Sequence, residues 1–104
     1  MTAGGEPAQE GVAEKPSPYA VLLSRQARRN LSENLPLDVA IAATETIQHA
    51  IAVNPARVGK PLDEPFDWYY SARRGTYRII YRIDDKNRIV TVVDVDHRRD
   101  VYRT

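Results

Sequence analysis

The spacing of apolar residues predicts one strand followed by two helices in the first half of the chain. Tyr19–Leu23 is a short apolar run, and Ser24 is a suitable N-cap for a helix over Arg25–Asn34. After a short joint, the stretch Leu37–Val53 repeats apolar residues at i, i+3 and i+4, and the Asn-Pro pair that follows ends it. Helices joined so closely are expected to form an antiparallel hairpin.

The second half of the chain predicts an antiparallel meander of strands. The segment before it, Ala56–Pro65, has one glycine and two prolines and is predicted to be a connecting loop. Runs rich in β-branched and aromatic residues then alternate with turn-rich segments. The predicted strands are Trp68–Arg73, Thr76–Ile83 and Arg88–Val95, and the turns are Arg74-Gly75 and Asp84–Asn87. Together the elements predict an α+β fold, with an N-terminal strand and a two-helix hairpin packed on a twisted antiparallel β-sheet.

Composition separates a tail from one folded domain. Residues 1–18 hold three of the five glycines, three of the seven prolines and no aromatic residue. Such a segment buries too little apolar surface to offset the entropy of ordering it. We therefore predict a disordered tail over residues 1–18 and one domain over residues 19–104, the size that suits a single core.

The cellular compartment follows from what the sequence lacks. There is no cysteine, which is typical of a protein in a reducing environment. No apolar run is long enough to span a membrane, and residues 1–18 have no signal-peptide pattern. We expect a cytoplasmic protein with no membrane partner. Metal-ligand clusters, phosphate loops and serine-nucleophile elbows are also missing, so no metal and no cofactor are predicted.

The net charge of +1 hides a gradient along the chain. From Tyr70 to Thr104 there are nine arginines and lysines against five aspartates, whereas residues 1–18 carry three glutamates and one lysine. Positive charge is therefore concentrated in the last third, and its partner is expected to be anionic.

Side-chain alternation in the predicted middle strand separates a core face from an open one. Tyr77 and Tyr81 point one way and Arg78 and Arg82 the other, because side chains in a strand alternate with period two. On the preceding strand the residues Tyr69, Ser71 and Arg73 alternate together. If these groups share one face, guanidinium groups for phosphates and aromatic planes for bases would lie together, as single-stranded RNA recognition requires. The alternative is a sheet face that is merely solvated.

Several residues near the end of the predicted sheet have two open interpretations. His97 is either an acid/base group, because imidazole ordinarily titrates near neutrality, or a residue that packs at the strand end. Tyr102 belongs to the core or to the site, and Arg74 binds phosphate or only solvates its turn. Asp94 and Asp96 lie beside the proposed site and can pair with nearby arginines.

Three segments carry a family resemblance. They are GKPL at Gly59–Leu62, SARRGTYRIIYRIDD at Ser71–Asp85 and VDHRRDVYR at Val95–Arg103. In this order and spacing they resemble the RelE branch of the RelE/ParE toxin superfamily, and the resemblance runs from about Tyr19 to the end of the chain. The order of elements in that family agrees with the predicted order.

The resemblance implies the toxin of a type II toxin–antitoxin system. It implies an endoribonuclease that enters the ribosomal A site and cuts mRNA without a metal, leaving a 2′,3′-cyclic phosphate and a 5′-hydroxyl. By position, Arg78 and Arg98 correspond to arginines that stabilise the phosphate, and Tyr102 to the tyrosine that orients or activates the 2′-hydroxyl. The candidate catalytic residues are Arg78, Arg98, Tyr102 and His97, and the candidate RNA-binding residues are Arg73, Arg74, Tyr69, Ser71, Arg82 and Arg99.

The chain departs from the family at one place. Family members carry two lysines on the strand before the Arg-Gly turn, where this chain has Tyr69 and Ser71. Without those lysines, the cationic contribution is expected to fall to Arg73, and His97 becomes the candidate for acid/base work.

The resemblance also implies partners and leaves two alternatives open. It implies a cognate antitoxin, RelB-like or Phd/YefM-like, and contact with mRNA and 16S rRNA on the ribosome, with operator DNA reached only through the antitoxin. One alternative is a ParE-like inhibitor of DNA gyrase, which the set of Arg78, Arg98 and Tyr102 disfavours. The other is a catalytically weak homologue that acts only in an antitoxin and operator complex, an interpretation that the missing lysines keep open.

Overall fold

The computed structural model describes residues 18–97, and its main elements follow the predicted order. The predicted tail lies outside this range apart from Pro18, and so do all residues from Arg98 onward. The elements are β1 (Ala20–Leu23), α1 (Arg25–Arg29), α2 (Leu37–Thr46), α3 (Pro55–Val58), β2 (Lys60–Pro61), β3 (Tyr69–Arg74), β4 (Tyr77–Asp84) and β5 (Ile89–His97). None of the helices within this range is long and apolar enough to cross a membrane.

Both predicted helices are present, and each ends in a wider turn than predicted. The α-helical part of each continues into a π-helical turn, over Asn30–Asn34 after α1 and over Ile47–Ile51 after α2. Ser24 caps α1 as predicted, since its hydroxyl accepts a hydrogen bond from the backbone N–H of Ala27 at 3.0 Å.

The strands form one five-stranded sheet in the order β1-β5-β4-β3-β2. Strands β2 to β5 pair antiparallel, which confirms the predicted meander. The N-terminal strand instead pairs parallel with β5, with Ala20 opposite Ile89. The sheet is therefore antiparallel except at this edge, because the helical hairpin carries the chain back across the sheet between β1 and the meander.

The prediction of a connecting loop over Ala56–Pro65 is wrong at two points. Pro55 begins the short helix α3, since proline suits the first helical turn. Lys60 and Pro61 then pair with Ser71 and Tyr70 to form the edge strand β2, a position that tolerates proline. Gly59 joins the two elements, and a Cβ atom there would overlap the hydroxyl of Tyr81.

The core lies between the helices and one face of the sheet, as predicted. Its buried residues include Ala27, Ala43, Ile47 and Ile51 from the helical segments and Ala72, Ile79, Tyr81, Val92 and Val95 from the sheet. Tyr77 and Tyr81 both point inward, and each hydroxyl finds a partner, Thr46 for the first and the carbonyl of Pro55 for the second. Burial raises the pKa of Tyr81 to about 12. The opposite face of the sheet is left uncovered by the helices.

Candidate nucleic-acid interface

The face of the sheet opposite the helices, which we call the open face, is built from cross-strand rows of residues on β3, β4 and β5. The rows are Arg73–Arg78–Asp96, Ser71–Ile80–Asp94 and Tyr69–Arg82–Thr91. None of these residues is buried. The prediction that Tyr69, Ser71 and Arg73 share a face with Arg78 is therefore confirmed, because residues opposite each other in a sheet point to the same side.

Arg73 and Arg78 are direct cross-strand neighbours on this face. The Cβ atoms of such a pair are roughly 4.5–5.5 Å apart, and like charges directly opposite each other destabilise a sheet. Arg73 is exposed and makes no ion pair with any other residue of the range 18–97. The pair thus presents two guanidinium groups suited to phosphate oxygens.

Arg78 is held by a carboxylate on its other side. Its Nη2 lies 3.3 Å from Oδ2 of Asp96, the residue opposite it on β5, and the two side chains are 38% and 39% exposed. The Nε atom of Arg78 is shielded from solvent and has no hydrogen-bond partner among residues 18–97. A phosphate bound here would compete with Asp96 for a guanidinium whose bonding capacity is only partly used.

Asp94 is the second carboxylate on the open face, and the buried Asn30 anchors it. Nδ2 of Asn30 donates to Oδ1 of Asp94 at 2.8 Å and to the carbonyl of Val95 at 3.1 Å. The backbone N–H of Val95 donates to the same Oδ1 at 2.9 Å. Burial, followed by the charge of Asp96, nevertheless raises the pKa of Asp94. Asp94 is thus a fixed acid that keeps its proton to a higher pH than an ordinary aspartate.

His97 does not reach this face. A β-bulge leaves Val93 of β5 without a partner on β4, because Ile80 pairs with Asp94 and Tyr81 with Val92. The extra residue reverses the sides of all that follow, so Asp94 and Asp96 face outward and His97 faces inward beside Tyr77. His97 is only 8% exposed. Its position supports the packing interpretation and not the acid/base one.

The remaining predicted arginines are spread over the sheet. Arg74 pairs with Tyr77, so its side chain leaves β3 on the core side, exposed at the end of the strand. Arg82 is on the open face but two rows from Arg78, a separation of roughly 13 Å along a strand. Within the described residues, only Arg73 and Arg78 of the predicted arginines are neighbours on the open face.

Aromatic rings form a shelf beside Arg82, which we call the aromatic shelf. The ring centroids of Phe66 and Trp68 are 6.4 Å apart, and those of Trp68 and Tyr69 are 5.7 Å apart. Trp68 is 56% exposed, and with Arg82 it lines a cavity of about 380 Å³. Tyr69 was predicted to contact RNA, whereas Trp68 was counted only as the start of a strand. The side chain of Trp68, the single tryptophan of the sequence, is 56% exposed, and this exposure cannot be read from the sequence.

Lys60 also joins this face, although it was not among the predicted site residues. It lies opposite Ser71, in the edge strand that was predicted to be loop. The two are 11 positions apart in the chain, so only the strand register brings them together. Arg98, Arg99 and Tyr102, the other predicted site residues, lie outside the described residues.

Known proteins that resemble the chain identify its family. Residues 21–102 match the sequence model of the family described as ParE toxin of type II toxin–antitoxin systems. The protein belongs to this family, within the RelE/ParE toxin superfamily. The toxin is 45% identical over 86 residues to Toxin RelG of Mycobacterium tuberculosis, an alignment that covers 83% of this chain and 98% of RelG. It is 38% identical to Toxin RelE of the same organism, over 83% of this chain and 88% of that toxin.

Solved structures agree with this assignment. The toxin superposes on a chain of the toxin–antitoxin complex RelBE2 from Mycobacterium tuberculosis with a TM-score of 0.76 and 44% identity, over 81% of this chain and 95% of that one. It also superposes on the isolated RelE toxin of Escherichia coli with a TM-score of 0.62 and 17% identity, over 76% and 83% of the two chains. At that identity the second match shows the fold alone. The predicted fold and the resemblance to the RelE branch are both confirmed.

Proposed function

We propose that this toxin is a ribosome-dependent endoribonuclease, which cuts mRNA codons in the A site and thereby inhibits translation in the cytoplasm. The observation that carries the proposal is the pair of neighbouring guanidinium groups, Arg73 and Arg78, on a sheet face that no helix covers. Phosphate oxygens are the ligands that match the fork geometry of arginine.

The proposed reaction is an internal transesterification of RNA. The 2′-oxygen attacks the adjacent phosphorus, a bond from O2′ to phosphorus forms, and the bond from phosphorus to O5′ breaks. A base accepts the proton of the 2′-hydroxyl, and an acid gives a proton to O5′, which leaves a 2′,3′-cyclic phosphate and a 5′-hydroxyl. Arg78 and Arg73 would bind the non-bridging oxygens, whose negative charge grows in the transition state.

The proton transfers need other groups. From the resemblance, we propose that Arg98 is a second phosphate ligand and that Tyr102 orients the 2′-hydroxyl. His97 is left out because its side chain is buried on the core side of β5. On the described part of the open face, Asp94 and Asp96 are the carboxylates next to the arginine pair, and the raised pKa of Asp94 favours a role in holding or giving a proton.

We also propose an antitoxin as the partner that restrains this activity. Proteins that the toxin resembles were solved with one, as in the complexes named RelBE2 from Mycobacterium tuberculosis and RelBE from Escherichia coli. An acidic segment laid over Arg73 and Arg78 would neutralise the same charges that bind RNA. Whether the antitoxin is RelB-like or Phd/YefM-like is decided by its own sequence.

The test uses programmed ribosomes. Purified full-length toxin is incubated with ribosomes that carry a defined mRNA, and new 5′ ends are mapped by primer extension. Cuts at the A-site codon are expected, and Arg78→Gln should slow them by roughly 10²- to 10³-fold, the usual cost of removing a group that stabilises the charge of a transition state. Arg28→Gln, which removes the same charge from exposed helix α1, is the control and should change little. Uncut mRNA would refute the proposal.

A second candidate is inhibition of DNA gyrase, which the resemblance to the ParE branch implies; the matched family model is described as a ParE toxin. A supercoiling assay with the same protein preparation separates the two. Gyrase inhibition without mRNA cleavage would support this candidate, and neither effect would support a weak homologue that acts only in an antitoxin and operator complex.

A further inference from the structure

A cleft at the edge of the sheet is lined by residues of β2 and β3 and of the segments next to β2. We call it the edge cleft; it has a volume of about 520 Å³, and Lys60, Ser71 and Arg73 supply polar groups to its lining. Leu62 and Pro61 supply apolar wall, and Asp63 is its single carboxylate. The cleft therefore combines two cations and a hydroxyl with an apolar surface, a combination suited to a sugar-phosphate unit.

The strand register makes this cleft continuous with the arginine pair. Lys60 is opposite Ser71, Ser71 is two residues from Arg73 on the same face, and Arg73 is opposite Arg78. Neighbouring strands are roughly 4.8 Å apart, and residues i and i+2 of one strand are roughly 6.6 Å apart. Cations on three adjacent strands thus follow one path across the sheet, and their long side chains span more than one phosphate.

Lys60 has no competing partner in the described part of the chain. It is exposed and makes no ion pair with any of residues 18–97, unlike Arg78, which is paired with Asp96. The alternative is a purely structural role, because an exposed lysine on an edge strand discourages pairing with another chain. The two roles predict different results when the lysine is removed.

We propose that the edge cleft is a second phosphate subsite, in which Lys60 and Arg73 bind the phosphate next to the one held by Arg78. This inference rests on the proposed function for its ligand, RNA, and adds a residue that determines how the strand is positioned. Lys60 supplies from β2 a positive charge that β3 lacks at Ser71. The aliphatic stem of Lys60 lies along the cleft wall while its ammonium group reaches the phosphate.

The experiment measures binding of an RNA strand that cannot be cut. The ligands are short 2′-O-methyl oligonucleotides. One has phosphate at every linkage, and each of the others has a neutral methylphosphonate at a single linkage. Fluorescence anisotropy gives the affinity of the full-length toxin and of the Lys60→Met, Lys60→Arg and Lys86→Met variants as salt is varied. Lys86 is the matched control, because it carries the same charge in the turn at the far end of β4.

Removing Lys60 should weaken binding roughly 1.5- to 5-fold, the range for one exposed ion pair. The slope of log affinity against log salt should become shallower by about 0.7, the contribution of one phosphate contact in a single strand. A methylphosphonate at one linkage should weaken RNA binding by the original toxin, but it should not weaken binding by Lys60→Met any further. Lys60→Arg should retain most of the affinity, and Lys86→Met should behave like the original toxin.

Three outcomes overturn the subsite: no measurable binding by the original toxin, equal loss in Lys60→Met and Lys86→Met, or a methylphosphonate effect that is the same with and without Lys60. Self-association of Lys60→Met without a change in phosphate coupling would assign the lysine to edge protection. The ribosome assay is read separately. If mRNA is cut but the methylphosphonate effect does not depend on Lys60, only the subsite is rejected. If the methylphosphonate effect depends on Lys60 but mRNA is not cut, only the proposed nuclease is rejected.

Discussion

Asp96 is expected to weaken RNA binding, because it occupies the guanidinium group that a phosphate needs. We consider Asp96→Asn, which keeps the size of the side chain and removes its charge. The lost contact is the 3.3 Å ion pair with Arg78, in which both side chains are more than a third exposed. Solvent screening limits such a pair to about 0.2–1 kcal/mol. A phosphate that no longer has to displace Asp96 gains at most this amount.

The affinity of Asp96→Asn for an uncuttable 2′-O-methyl oligonucleotide should therefore rise roughly 1.5- to 5-fold, and the gain should shrink as salt is added. The same change should lower the pKa of Asp94 toward its ordinary value, because the charge of Asp96 contributes to raising it. Carboxyl NMR titration measures this shift. Asp38→Asn, which removes an exposed charge at the start of α2, controls for net charge. Unchanged or weaker RNA binding by Asp96→Asn would refute the competition between carboxylate and phosphate.

Two further predictions concern the aromatic shelf and Asp94. Trp68→Ala should weaken RNA binding by about 1–3 kcal/mol if one base stacks on the ring, with little loss of thermal stability because the side chain is 56% exposed. Leu37→Ala on α2 is the apolar control. Equal affinity of Trp68→Ala and the original toxin would exclude the aromatic shelf from the site. Burial, followed by the charge of Asp96, raises the pKa of Asp94, so the folded protein holds this proton more tightly than the unfolded chain. The contribution of Asp94 to the free energy of unfolding therefore falls as pH rises from the ordinary aspartate pKa through the raised pKa. Asp94→Asn keeps the hydrogen bonds from Asn30 and Val95 but cannot titrate. Between about pH 4 and pH 7, the free energy of unfolding measured in urea should therefore fall less with rising pH in Asp94→Asn than in the original toxin. An unchanged slope would contradict the assignment.

The alternation of residues predicted much of the open face. In β4 every second residue from Tyr77 is aromatic or apolar, and both arginines fall on the other side, so the inward tyrosines and the outward Arg78 followed directly from the sequence. The preceding strand obeyed the same rule, which placed Arg73 correctly. These predictions succeeded because the strands concerned pair with each other in unbroken register.

The last strand departs from this regular alternation at the bulge. Counting by twos from Thr91 would place His97 on the open face, since both are odd-numbered positions of one strand. The unpaired Val93 reverses that count, and it brings Asp94 and Asp96 outward instead. A bulge depends on how two strands fit along their whole length, so nothing local in the sequence marks it. Lys60 was missed for a related reason, because an edge strand of two residues has no period to detect.

Gly59 allows the edge of the sheet, which we call the rim, to pack against the core residue Tyr81. With no side chain at this position, the backbone leading into β2 can lie against the hydroxyl of Tyr81, which in turn is bonded to Pro55. The charge at Lys60 can therefore be changed without disturbing this contact, because the side chain is exposed at the rim. One position earlier, any larger residue would have to displace the Tyr81 hydroxyl and press on the carbonyl of Ser71. Substitutions at position 60 are thus expected to alter the charge of the rim alone, and substitutions at position 59 to shift its backbone.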